Sequence, residues 1–161
     1  MKKKINNKEF KIAADGGSAS GKTTGCNLIA KNLNMRFLSS GTLYRFCALK
    51  IIENNNIYNL DFITKTAKLI SLKKLKNKKL YTPEVTKLSS EIAKKPFVRN
   101  ALKNFQKNFI TKSKFVVVEG RDIGTKIMPN ADLKLFFYCS IKEKAKRRLI
   151  EFRHKNKRIT L

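Results

Sequence analysis

Lys22 and Thr23 close the run Gly16-Gly17-Ser18-Ala19-Ser20-Gly21-Lys22-Thr23, which has the spacing G-x-x-x-x-G-K-[ST]. An ammonium followed by a hydroxyl, directly after a glycine-rich turn, is equipped to handle a polyphosphate. The lysine reaches the terminal phosphates and the hydroxyl helps to hold a magnesium ion. Backbone N–H groups of the turn and of a helix N-terminus point at the same anion. This chemistry requires a strand before the turn and a helix after it. Phe10 to Ala14 reads as a short buried strand, and Cys26, Ile29, Ala30 and Leu33 recur at the spacing of one helix face. A chance Gly/Ser turn would lack these flanks, so the segment predicts binding of a nucleoside triphosphate. Lys22 begins an exposed helix end on this reading, and its removal is expected to cost little structurally.

The elements that must position this loop follow in alternation. Met35 to Leu38 predicts a second strand, and Leu43, Phe46, Cys47 and Ile51 form the stripe of a second helix. Asn54-Asn55-Asn56 ends that helix with turn formers. Asp61 is read as the cap of a short helix carrying Phe62, Leu69 and Ile70, and the lysine-rich stretch from Leu72 to Leu80 as an irregular connector. Thr82-Pro83 predicts an N-cap and first residue of a helix running to about Lys94. Pro96 opens another, with Val98, Ala101, Leu102, Phe105 and Phe109 along one side. Phe115 to Val118 is a central buried strand and Leu133 to Tyr138 a further one, followed by a basic helix striped by Ile141, Ala145, Leu149 and Phe152. The alternation predicts an α/β fold, a doubly wound parallel sheet in one domain.

Composition narrows the function classes. The chain has 161 residues, enough for one domain with a sizeable core. No apolar run approaches membrane-spanning length, and no apolar stretch follows Met1-Lys2-Lys3-Lys4 as a secretory signal would require. The three cysteines, Cys26, Cys47 and Cys139, lie far apart, which argues for reduced thiols in a cytoplasm. His154 is the single histidine, so zinc and histidine-based nucleophilic chemistry are poorly supplied. The net charge of +26 would attract polyanions at low salt. Yet Lys, Asn and Ile are abundant everywhere, and no aromatic residues are interleaved with the basic ones as in RNA-binding signatures. A solvated basic surface around an anion-handling site explains the charge, with no specific nucleic-acid partner. Only eight of the 37 basic residues are Arg, and Arg45, Arg99, Arg121, Arg147 and Arg148 fall in or beside motif segments. Such positions draw on the planar, bidentate guanidinium.

Three further constellations lie on loops after the strands, where ligands of such sheets bind. They are Leu38-Ser39-Ser40-Gly41-Thr42-Leu43-Tyr44-Arg45, then the block from Thr82-Pro83-Glu84-Val85 to Pro96-Phe97-Val98-Arg99, then Val118-Glu119-Gly120-Arg121-Asp122-Ile123-Gly124-Thr125. Singly, each has a plain explanation as a helix cap, a solvated charge or a turn.

In this order they resemble the cytidylate kinase family. Asp15 to Thr24 is similar to the family's D-G-x-S-x-S-G-K-x-T loop, Leu38 to Arg45 to L-D-S-G-x-x-Y-R, and Glu84 to Arg99 to E-V-x-x-x-x-S-x-x-A-x-x-P-x-V-R. The signature E-G-R-D-I-G-T stands intact at Glu119 to Thr125, and Pro129 to Lys134 resembles P-D-A-D-x-K. The resemblance implies transfer of the ATP γ-phosphoryl group to CMP or dCMP, with Mg2+ as cofactor. It implies a catalytic set of Lys22, Arg45 and Arg121. Gly16, Gly17, Ser18, Ala19, Ser20, Gly21, Lys22, Thr23, Thr24, Glu119, Arg147 and Arg148 would bind ATP and its metal, the metal through Thr23 and, by way of water, Glu119. Arg45 and Arg121 would grip the acceptor phosphate, Ser40 would touch the acceptor's sugar, Tyr44 would belong to the same substrate-binding set, and Ser90, Arg99 and Asp122 would read the cytosine. A small-molecule kinase in the cytoplasm, with no membrane partner, is the expectation.

Departures from the family pattern are local and terminal. Gly17 replaces a usual proline, Thr23 a usual glycine, and Ser39 a usual aspartate. The family pattern continues past the position of Leu161 with most of a lid and a last strand, so the expectation is a phosphate-loop nucleoside monophosphate kinase core without them. Residues 1–161 form that core, 50–95 a shortened acceptor-side helical segment, and 141–161 the start of the lid region. Weak turnover and self-association through an exposed edge strand at Leu133 to Tyr138 would follow. Two alternatives stay open: another acceptor such as UMP, AMP or shikimate, and a nucleotide-binding protein without turnover that binds RNA through its basic surface.

Overall fold

Strand β1 (Phe10–Gly16) is paired in parallel on both sides, with β3 (Phe115–Gly120) on one and β4 (Leu133–Phe137) on the other. Ile12, Ala13 and Ala14 are buried in succession, as a strand covered on both faces requires. The computed structural model describes residues 9–155, with the side chains of Arg148 and of residues 151–155 outside the described set. With β2 (Arg36–Ser39) the sheet order is β2-β3-β1-β4, the parallel α/β sheet that the alternating pattern predicts. Val116, Val117 and Val118 make β3 the second interior strand.

The chain divides into two compact units. One contains Phe10–Phe37 and the chain from Phe115 onward. In it α1 (Lys22–Asn32) follows the phosphate loop directly and packs on β1 and β3. Cys26 and Ala30 from α1 join Ile12, Ala14, Met35 and Val117 in one apolar cluster. Leu33 does not belong to this face: it lies at the helix C-cap and is 61% exposed, because the helix ends one residue before it. Gly25 faces the ring of Phe137, where an added Cβ would sit 2.7 Å from Cε1. The glycine thus lets β4 and α1 approach closely.

The other unit contains Leu38–Lys114. Here α2 (Ser40–Ile52) packs on α4 (Pro83–Ile92), and α3 (Leu60–Lys68) on α5 (Pro96–Thr111). The expected stripe of α2 is buried at Leu43, Phe46, Cys47 and Ile51. The α3 cap differs from expectation. Asn59 Oδ1 accepts the Phe62 N–H at 2.9 Å, while Asp61 sits in the first turn and pairs with Lys65 at 2.7 Å. Leu69 and Ile70 lie past the end of that helix. The connector from Leu72 forms two short 3-10 turns, Lys74–Lys76 and Lys78–Tyr81, which bury Leu75 and Leu80. Thr82 caps α4 and Pro83 is its first residue, as predicted.

Helix α6 (Ile141–Lys155) follows β4. Its expected stripe is not a packed face among the described residues, for Ile141 is 85% exposed and Ala145 is exposed too. Phe152 lies outside the described side chains.

Candidate active site

Parallel pairing on both edges of β1 carries the chain out of the sheet at Gly16 with little freedom. A Cβ at Gly16 would lie 2.5 Å from the Phe137 carbonyl oxygen, so only glycine fits beside β4. The loop then turns through Ala19 at φ 57° and Gly21 at φ 85°. Ser20 is buried and its hydroxyl donates to the Gly17 carbonyl at 3.0 Å, bracing the loop from within. Gly21 N-caps α1 with no side-chain hydrogen bond, and no acidic residue occupies the first helical turn. The opening N–H groups and the positive end of the helix dipole are therefore left for an anion.

Lys22 and Thr23 converge on one carboxylate. Lys22 Nζ is 3.1 Å from Glu119 Oε2, and the Thr23 hydroxyl donates to Glu119 Oε1 at 2.8 Å. Glu119 is 3% exposed near the end of β3, and the Lys22 side chain is only 14% exposed. The expectation that Lys22 can be removed at little structural cost is thereby corrected: its charge balances a buried carboxylate. Cys26, one turn further along α1, feels the same pair. Its thiol is pushed up to about 12, chiefly by burial, with the Glu119 charge adding to the rise and Lys22 opposing it.

Thr23 and Glu119 present adjacent hard oxygens, the donor chemistry that suits Mg2+. Among the described residues no cluster of three or more His, Cys, Asp or Glu could hold a metal ion. A cation here would share its coordination with phosphate oxygens and water, as Mg2+ does in nucleotide sites. Ser18, Thr23 and Thr24 are exposed along the loop and first turn.

Helix α6 brings cations to the same loop. Arg147 Nη1 stands 2.9 Å from the position of a Cβ on Gly21, and Arg147 Nε bonds Glu143 Oε1 at 3.1 Å. Lys144 Nζ stands 3.6 Å from the corresponding position on Gly17 and 5.7 Å over the Tyr138 ring. Lys144 is absent from the residues singled out by sequence, since one lysine among many carries no signal until a helix aims it. Arg148 lies outside the described side chains.

Arg121 is exposed and Asp122 half-buried in the loop leaving β3, in the same unit as the phosphate loop. Asp15 meets this loop with both carboxylate oxygens, accepting the Ile123 N–H at 2.7 Å and the Gly124 N–H at 2.8 Å. The loop continues in a single π-type turn, Ile123–Ile127.

The remaining candidates, Ser40, Tyr44, Arg45, Ser90 and Arg99, fall in the other unit. Ser40 is buried as the first residue of α2. Arg45 and Ser90 are brought together through Thr86. Arg45 Nη1 donates to the Leu80 carbonyl at 2.9 Å and to the Thr86 hydroxyl at 2.6 Å, and its Cζ lies 5.1 Å over the Tyr81 ring. The Ser90 hydroxyl donates to the Thr86 carbonyl at 3.1 Å. Arg99 Nη1 donates to the Ala93 carbonyl at 3.1 Å, satisfying a C-terminal carbonyl of α4.

No helix among the described residues is long and apolar enough to cross a membrane. Comparison with known proteins agrees with the four motifs. The family model described as Cytidylate kinase matches residues 12–161. A cytidylate kinase of Fusobacterium nucleatum is 38% identical over 161 aligned residues, covering 92% of this chain and 73% of its own. One from Pseudothermotoga lettingae is 35% identical, covering 94% of this chain and 72% of its own. A crystal structure from Thermus thermophilus superposes with a TM-score of 0.48 at 16% identity, covering 88% of this chain and 72% of that one. With a family model spanning nearly the whole chain, this protein belongs to the cytidylate kinase family.

Proposed function

We propose that the protein transfers the γ-phosphoryl group of ATP to CMP or dCMP, giving ADP and CDP or dCDP. A phosphate oxygen of the acceptor attacks the γ-phosphorus as the bond to the β,γ-bridging oxygen breaks. This chemistry asks the protein to position two anions and neutralise the charge that develops between them. The loop from Gly16 to Thr24 and the head of α1 cradle the donor phosphates. Lys22 exchanges its contact with Glu119 for the terminal phosphates, and Arg147 and Arg148 add positive charge on the donor side. Thr23 and, through water, Glu119 would hold Mg2+, which when bound would supply positive charge against the phosphates. Arg45 and Arg121 grip the acceptor phosphate, Ser40 touches the acceptor's sugar, and Tyr44 belongs to the same substrate-binding set. Ser90, Arg99 and Asp122 complement the amine donor and the acceptors of cytosine. No histidine is needed, because little proton transfer has to be managed by the protein.

The observation that carries this reading is the convergence of Lys22 and Thr23 on Glu119 below a phosphate loop with a free helix N-terminus. The test is direct: ADP and CDP are measured with ATP, Mg2+ and CMP, and the acceptor is then varied to dCMP, UMP, AMP and shikimate. Turnover with CMP and dCMP well above the others is expected. Equal turnover with UMP or AMP would remove the cytosine assignment, and none with any acceptor would remove the kinase reading. Three free thiols, Cys26, Cys47 and Cys139, suit a reducing cytoplasm, where we place the enzyme.

A further inference from the structure

We propose that Asp15 is a positioning residue that fixes the Arg121–Asp122 span and ties it to the phosphate loop. Asp15 is the last residue of β1 before Gly16 and stands in register with Gly120 of β3. Its carboxylate reaches across to the chain leaving β3, where Oδ1 accepts from Ile123 N at 2.7 Å and Oδ2 from Gly124 N at 2.8 Å. Hydrogen bonds to an ionised acceptor are the shorter and stronger kind, and two in parallel fix direction as well as distance.

A second feature closes the clamp. A Cβ on Gly124 would lie 3.2 Å from Asp15 Oδ2 and 3.4 Å from Lys134 Cδ, so the bare backbone leaves the carboxylate uncrowded. Just beyond, Met128 N donates to the Ile123 carbonyl at 2.6 Å and Lys126 N to the Asp122 carbonyl at 2.9 Å, so the following turn is braced as well. Arg121 and Asp122 are therefore the two residues between a sheet anchor at Gly120 and a clamp at Ile123. The same strand end that launches the phosphate loop sets where these two side chains start. What the span does rests on the proposed reading, in which Arg121 and Asp122 hold CMP; Asp15 itself touches no reacting atom.

Asp15→Asn is the discriminating variant, because its shape is kept while one acceptor oxygen becomes a donor facing an N–H. Amide exchange at Ile123 and Gly124, followed by NMR in the whole protein, is expected to speed up at least about tenfold in the variant. The kcat/KM for CMP is expected to fall at least about tenfold while the KM for ATP moves less than about twofold. Gly124→Ala, which keeps every charge and crowds Oδ2 most closely, with the Lys134 side chain next, is expected to act in the same direction and covers the case that Asp15→Asn does not fold. Unchanged exchange overturns the clamp. Faster exchange with unchanged CMP kinetics, or an equal rise in both KM values, overturns the positioning role. A wild-type protein that consumes no ATP with CMP overturns the kinase reading and the link to CMP with it, whereas the exchange rates still decide the clamp.

Discussion

Lys22 Nζ rests 3.1 Å from Glu119 Oε2, so the cation proposed to meet phosphate is held by a carboxylate that is 3% exposed. The pair explains why a lysine can stand ready at a loop built to attract anions. It also gives Lys22 a structural share that its place at a helix start conceals.

Lys22→Met should therefore do two things. If Lys22 meets the transferring group as proposed, loss of its charge should lower kcat by about 100-fold or more. Removal of one partner of a largely buried ion pair should cost on the order of 3 kcal/mol in folding stability. Adding Glu119→Gln should return part of the stability and none of the activity, with a coupling of about 1 kcal/mol or more in a double-mutant cycle. Urea unfolding and ATP turnover on the four proteins check this, and additive stabilities would dissolve the pair as an energetic unit.

Arg45 is held on three sides, by the Leu80 carbonyl, the Thr86 hydroxyl and the Tyr81 ring. Thr86→Val keeps the shape and deletes the 2.6 Å acceptor. If the grip aims Arg45 at the acceptor phosphate, the KM for CMP should rise about five- to tenfold with the KM for ATP unchanged, and Thr86→Ser should restore it. A lowered melting temperature with an unmoved KM for CMP would make the contact purely structural.

The strands and the phosphate loop were legible because their signals are local. Val116, Val117 and Val118 form an apolar run that is buried as expected, although Phe115 at its start is 43% exposed, and Thr82-Pro83 carries its own cap chemistry. Helix edges were harder. Asn59 and Asp61 are both competent caps, and only the chain's extended approach to Asn59 decides between them. Leu33 and Ile141 have helical spacing, yet one falls past its helix and the other faces solvent, because periodicity shows a face but not whether anything covers it. The contacts that shape the candidate site lie furthest from view. Asp15 and Gly124 are 109 residues apart, and Arg45 and Thr86 are 41 apart. Pairings of that separation are fixed by strand order and helix packing, for which a single sequence holds no local mark.

The cysteines make an alkaline prediction. Burial, joined at Cys26 by the Glu119 charge, raises the thiols of Cys26 and Cys47 from 9.0 to about 12. A folded-state value above the unfolded one means that the unfolded chain releases its protons first. The stability these thiols contribute is thus fully present below pH 9.0 and is lost as pH rises from 9.0 towards 12. Iodoacetamide at pH 8 should leave both unmodified in the folded protein and label them once urea is added. Labelling of Cys26 in the folded protein at the rate of a free thiol would contradict its burial.

Gln106 is a mismatch inside α5. It is 2% exposed, its Oε1 has no hydrogen-bond partner, and its Nε2 reaches the Leu102 carbonyl only at 3.5 Å. An unsatisfied buried acceptor costs about 1–3 kcal/mol. Gln106→Met, similar in shape and apolar, should raise the melting temperature by about 2–4 °C for a chain of this size. A lower melting temperature would mean that the amide is satisfied in solution, most simply by a water.

Arg99 tests the reading of the base. Its Nη1 already donates to the Ala93 carbonyl at 3.1 Å, so the side chain closes the end of α4 as well as belonging to the proposed base-reading set. The two roles separate by substitution. Arg99→Lys keeps a cation near the helix C-terminus, where positive charge is favourable, but loses the planar fork. Arg99→Met loses both. If the fork reads cytosine, both variants should raise the KM for CMP by about tenfold or more and leave that for ATP within about twofold, since a site built around a polar edge is intolerant of unpaired groups. Ser90→Ala should act in the same direction and narrow the preference for CMP over UMP. If Arg99→Lys behaves as wild type and only Arg99→Met loses stability, the guanidinium serves the helix end alone, and cytosine selection has to be sought in Asp122 and Ser90 without it.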